Sequence, residues 1–126
     1  MPHITIENSN NISQESILEF GREIMKMMSK QEGNFDLEQC KFRNFPCDKY
    51  FVGSLSQDSS SFFHITIKIM SGRSDAIKKN LAIKAFDLAT NFIVQENVKS
   101  SIKGRFDISV DIVDMNREFY QKTTIN

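Results

Sequence analysis

Four residues of this chain have types and placements that could handle a small acid: Pro2, Lys41, Arg43 and Arg73. Removal of Met1 turns Pro2 into a secondary amine, and an α-amino group titrates near about 7.7–8.0 in water. Burial disfavours its charged form, and nearby cations lower its pKa further. Such an amine is partly neutral near physiological pH, as a general base that later returns its proton must be. The plainer role for Pro2 is to open an edge strand, where its missing N–H costs nothing. Arg73 follows a predicted strand and precedes Ser74, the predicted cap of a helix. Helix N-termini collect anions, and a guanidinium grips a carboxylate through two parallel N–H groups. The alternative is an arginine solvated on a loop. Lys41 and Arg43 stand two apart in an alternating stretch, so they share one strand face. They are either two further cations for an anionic ligand or a solvated surface.

Other candidates carry less. His3 and His64 have no carboxylate pattern around them and read as structural residues rather than metal ligands. Cys40 and Cys47 lack the C-x-x-C spacing and read as reduced thiols of a cytoplasmic protein. The 6 methionines, Met25, Met27 and Met28 among them, read as helix packing. Lys78-Lys79 and the Lys99, Lys103, Arg105 series read as solvated faces. No phosphate-binding loop, nucleophile elbow or H-E-x-x-H motif occurs.

The elements that must position these residues are legible from periodicity. His3–Glu7, Cys40–Phe45, Phe63–Ile69 and Phe106–Ile112 alternate as strands do, and Asp48–Leu55 is a weaker candidate interrupted by Gly53. Ile17, Phe20, Ile24, Met27 and Met28 recur at helical steps between Ser13 and about Lys30. Ile77, Leu81, Ala85, Leu88 and Phe92 do so between Ser74 and about Asn97. Ser13 and Ser74 are the expected caps. The tetrapeptide His-Ile-Thr-Ile occurs at 3–6 and again at 64–67, each time opening a β-α-β order. This predicts two halves, about 2–56 and 62–120, of one domain over 1–126. The expected fold class is α+β, a two-layer tandem β-α-β repeat: a four-stranded sheet with both helices on one face. The strands hold enough apolar residues to suggest that another subunit covers the opposite face. Phe119 and Tyr120 could anchor the tail Gln121–Asn126 on such a neighbour.

Composition agrees with a soluble fold. The 126 residues are 40% hydrophobic, and 16 basic side chains balance 16 acidic ones. That balance speaks against nucleic acid or a membrane surface as partner. No secretory signal is visible at the start, and no apolar run nears the ~20 residues of a membrane span.

Met1-Pro2-His3 at the start, the doubled β-α-β order and the I-x-x-G-R-S stretch at 69–74 together resemble the 5-carboxymethyl-2-hydroxymuconate isomerases of the tautomerase superfamily. The resemblance runs from Pro2 to about Tyr120. It implies a homotrimer with sites near subunit boundaries, and a cofactor-independent keto-enol isomerisation in the degradation of aromatic compounds. Pro2 would be the general base and acid. Arg73 would engage the acid group of a dicarboxylate substrate and steady its developing charge. Counting without gaps from Pro2, the family's second functional arginine falls on Lys41, which keeps the charge but not the fork. Arg43, two residues on, could serve instead. Alternatives are a tautomerase of another substrate, a phenylpyruvate-like enol or a halo-acid, and a trimeric small-molecule-binding protein with a blocked Pro2.

Overall fold

The computed structural model describes residues 1–95 and 104–126. Alternation decides which side of each strand is buried. Ile4 and Ile6 of β1 (His3–Ser9) and Phe63, Ile65, Ile67 and Ile69 of β3 (Ser60–Met70) are wholly buried. Each contributes about 1.5–3 kcal/mol relative to exposure, so a one-residue slip would be costly. The helices α1 (Gln14–Ser29) and α2 (Asp75–Val94) supply the cover. Ile17, Phe20, Ile24 and Met28 come from α1, and Leu81, Ala85, Ala89 and Ile93 from α2. Phe20 stacks edge-on to Phe63 at 5.4 Å and lies 5.0 Å from Phe92. Gly21 lets α1 approach β2, since a Cβ there would stand 2.7 Å from the Phe42 ring.

The sheet has four strands in the order β2-β1-β3-β4, with β2 at Lys41–Cys47 and β4 at Arg105–Met115. β1 pairs parallel with β2, β3 pairs parallel with β4, and β1 and β3 join the halves antiparallel. The tandem β-α-β fold is therefore as expected. The two halves also share one register: His3 faces Lys41 and Thr5 faces Arg43, while His64 faces Ser109 and Thr66 faces Asp111.

Three expectations need correction. Asp48–Leu55 is not a strand: it holds a single tight bridge between Val52 and Leu55, turned at Gly53. Tyr50 instead anchors this loop by donating its hydroxyl to the Ser60 carbonyl at 2.8 Å. The sheet face away from the helices is mainly polar, presenting His3, Thr5, Glu7, Arg43, His64, Thr66, Lys68 and Asp111, with Phe45, Phe62, Met70, Val113 and Met115 among them. Apolar residues are thus fewer on this face than expected. The apolar stripe of α2 centres on Ala85 and Ala89, with Leu88 and Phe92 at its margin. The expected end of that helix near Asn97, with Lys99 and Lys103, lies outside the described residues.

Candidate active site

The antiparallel β1–β3 pair assembles this end of the molecule. His3 lies opposite Lys68, so the close of β3 and the start of α2 come beside the start of β1. Parallel pairing places Lys41 opposite His3 on the other side, and the Lys41 N–H donates to the Pro2 carbonyl at 3.0 Å. Pro2, Lys41 and Arg73, far apart in the chain, reach the same end of the sheet.

Arg73 is held firmly. Gly72, at φ +112, makes a turn that L side chains rarely adopt, and Ser74 then caps α2 by accepting the Ile77 N–H at 3.2 Å. The Arg73 Nε donates to the Gly33 carbonyl at 2.8 Å and Nη1 to the Met70 carbonyl at 3.2 Å. Its guanidinium lies 4.3 Å from the centre of the Phe35 ring. Nη2 has no hydrogen-bond partner among the described residues. Burial, and then the neighbouring Arg117, lower the Arg73 pKa from its ordinary value.

Pro2 is fully buried behind Met1. With Met1 attached, its nitrogen is a tertiary amide and not a base. The Met1 amine reports the field there. Its pKa is lowered by burial first and by Arg73 second; Cys40 opposes the shift, and Lys41 and Lys122 add to it.

Lys41 and Arg43 share a strand face, yet they serve different neighbours. The Lys41 ammonium donates to the Gln39 carbonyl at 3.4 Å, close to Pro2. An Arg43 N–H donates to His3 Nδ1 at 2.9 Å. Because arginine only donates, Nδ1 must be an acceptor and the ring proton sits on Nε2. Nε2 in turn donates to the Tyr120 hydroxyl at 2.9 Å. The His3 pKa is lowered by burial and then by Arg43, in keeping with a neutral ring.

Several neighbours were not singled out from sequence. Lys122 donates to Gln39 Oε1 at 2.7 Å, and Arg117 Nε donates to the Ser71 carbonyl at 2.6 Å. The Tyr120 hydroxyl meets His3 of its own chain, while Phe119 stays exposed. The only hint in the sequence was the aromatic pair before the tail.

Several cations gather at this end without a neutralising carboxylate. Among the described residues, Lys41, Arg43, Arg73, Arg117 and Lys122 form no ion pair with a carboxylate. The pairs that do form lie elsewhere: Arg22–Glu19, Lys26–Glu23, Lys78 with Asp75 and Asp114, and Arg105–Asp107. Unneutralised cations around a buried chain start can hold and polarise an anion. His64 stands apart, with Nδ1 2.6 Å from the Ser109 hydroxyl. Cys40 and Cys47 are free thiols, and burial pushes the Cys40 pKa up. Among the described residues, no three His, Cys, Asp or Glu side chains gather as a metal set. No helix among them is long and apolar enough to cross a membrane.

Comparison with known proteins gives this geometry a family. The model of the family described as 5-carboxymethyl-2-hydroxymuconate isomerase matches residues 2–125. Among solved structures, a 5-carboxymethyl-2-hydroxymuconate isomerase from Deinococcus radiodurans R1 is similar at TM-score 0.84 and 21% identity, covering 98% of this chain and 90% of that one. A 5-carboxymethyl-2-hydroxymuconate delta-isomerase is similar at TM-score 0.74 and 17% identity, covering 100% of this chain and 89% of that one. A fused 4-OT protein described as a wild type symmetric trimer is similar at TM-score 0.71 and 15% identity, covering 92% of this chain and 88% of that one. No curated protein sequence matches the chain. Over nearly its whole length, then, this chain belongs to the 5-carboxymethyl-2-hydroxymuconate isomerase family, an isomerase on the tautomerase fold.

Proposed function

We propose that this protein isomerises 5-carboxymethyl-2-hydroxymuconate, or a closely similar unsaturated 2-hydroxy or 2-oxo acid, with the Pro2 amine freed by loss of Met1. The observation that carries the reading is the convergence of Pro2, Lys41 and Arg73 at one sheet end, where neither cation has a carboxylate partner among the described residues. Burial and Arg73 hold down the pKa of the Met1 amine, and the same surroundings favour a neutral Pro2 amine. The amine takes a proton from the enol oxygen of the substrate. The conjugated double bonds shift, and the proton is returned to a carbon further along. One O–H bond breaks and one C–H bond forms, so the reaction needs no cofactor.

Negative charge spreads over the dienolate between these steps. Arg73, prepositioned by Gly33, Met70 and Phe35, meets that charge without reorganising. Lys41 is the better second cation, because Arg43 is committed to His3. A lysine in place of a fork holds a carboxylate by charge rather than by two fixed bonds.

The chain reads as one domain over 1–126, acting in the cytoplasm as a homotrimer. The trimeric 4-OT relative supports the assembly, as do the exposed Phe45 on edge strand β2 and Phe119 beside the tail. The test is turnover by Met1-free protein, confirmed by intact mass. Conversion of 5-carboxymethyl-2-hydroxymuconate in preference to phenylenolpyruvate and 3-chloroacrylate is expected. A preference for either of the others would reassign the substrate. Binding without turnover would favour a non-catalytic trimer.

A further inference from the structure

The compound that names the family carries three carboxyl groups, two on the muconate chain and one on the carboxymethyl arm, one more than the dicarboxylate expected from sequence. Lys41 and Arg73 can meet two of them. We infer that the C-terminal tail supplies the third cation, Lys122, which Gln39 holds beside Lys41 as a specificity-determining residue for the extra carboxylate. The inference rests on the proposed function for its substrate class, and on the following geometry for its residue.

Gln39 receives both ammonium groups. Its carbonyl accepts from Lys41 at 3.4 Å and its side-chain Oε1 accepts from Lys122 at 2.7 Å. Two like charges on one neutral residue repel each other unless an anion lies between or above them. No carboxylate pairs with either among the described residues. A second hydrogen bond, to the Thr124 hydroxyl at 3.3 Å, steadies Lys122 within the tail. The tail itself is placed by Tyr120, which accepts from neutral His3, which in turn accepts from Arg43. Arg43 is accordingly a positioning residue, acting through His3 and Tyr120. Lys122 as well as Lys41 helps lower the pKa of the Met1 amine, so the charge of the tail is felt at the chain start.

The test compares 5-carboxymethyl-2-hydroxymuconate with 2-hydroxymuconate, which lacks the third carboxylate, using full-length protein freed of Met1. Lys122→Met should raise KM for the first about tenfold, the loss of one charge-assisted bond. Any change that acts through the field at the amine should be shared by both substrates, so the rise in KM beyond it is confined to the first. Lys122→Arg should restore the first. Equal damage to both substrates would make the tail a merely structural wall, and no damage to either would remove Lys122 from the site; both outcomes overturn the inference. If wild-type protein converts neither compound, the proposed function fails on its own. The tail is then judged by calorimetric binding of tricarballylate against glutarate: a wild-type preference for the tricarboxylate, lost in Lys122→Met, supports the inference, and its absence overturns it.

Discussion

The two halves of this molecule use the same strand for different ends. His-Ile-Thr-Ile opens β1 and recurs in β3, with each isoleucine buried and each half pairing in the same parallel register. What differs is the partner strand. Beside the first copy stand Lys41 and Arg43; beside the second, at matching positions, stand Ser109 and Asp111. The turn into α1 holds the buried Ile12 before its cap Ser13, whereas the turn into α2 holds Arg73 before its cap Ser74. Even the histidines part ways: His3 links Arg43 to Tyr120, while His64 meets a serine. One scaffold thus gives a cationic end around Pro2, and the matching end between β1 and β3 carries a neutral network. There Asn11 donates to Ser61 at 2.7 Å and Ser9 donates to Asn11 at 2.7 Å. The repeat supplies the fold, and a few charged side chains on one copy carry the proposed chemistry.

The largest break in this contrast comes from Pro2. A residue retained ahead of it should lower kcat/KM by on the order of 10²–10⁴-fold, the usual worth of a general base. Intact mass and turnover on the same sample check this. Next is Arg73→Ala, expected to lower kcat by roughly 10²–10³-fold as other prepositioned donors do. In the same variant the acidic limb of the kcat/KM profile should move to higher pH, because Arg73, which helps lower the pKa of the Met1 amine, would no longer act on the Pro2 amine in its place. Asp111→Lys, the charge swap in the other half, should change neither, since no amine lies beside it.

Smaller effects sharpen the comparison. Gly72→Ala forces a side chain into φ +112 and should reduce stability by roughly 1–3 kcal/mol in a denaturant titration. The smallest effect is on pH. The folded His3 pKa lies below its ordinary value of 6.5, so the unfolded chain binds that proton first as pH falls. Stability contributed by His3 is therefore full above about that ordinary value and is lost progressively below it. Protection of the Tyr120 region in hydrogen exchange should fall over the same range, and His3→Gln should flatten the dependence.

Much of this was legible from residues alone, for physical reasons. The isoleucine alternation at 3–7 and 63–69 admits one buried face, and Ser13 and Ser74 cap the helices as their positions imply. Asp48–Leu55 misled because its β-formers, Tyr50, Phe51 and Val52, sit in a loop closed at Gly53. Apolar content overstated the outer sheet face, because most of it lies on the helix side. Lys41, Arg43 and Arg73 could be suspected from charge, but no periodicity separates Lys41 beside Pro2 from Arg43 bound to His3. The partner of Tyr120 and the place of Lys122 were out of reach, because a contact between residues 3 and 120 depends on where the chain returns after β4.

The most direct test of the central claim is a paired assay on one preparation, divided by mass into chains with and without Met1. Each fraction is followed spectrophotometrically with 5-carboxymethyl-2-hydroxymuconate. The account predicts rapid isomerisation by the Met1-free fraction and near silence from the other. Equal rates in both, or none in either, would contradict a catalytic Pro2 amine at the cationic end of the sheet.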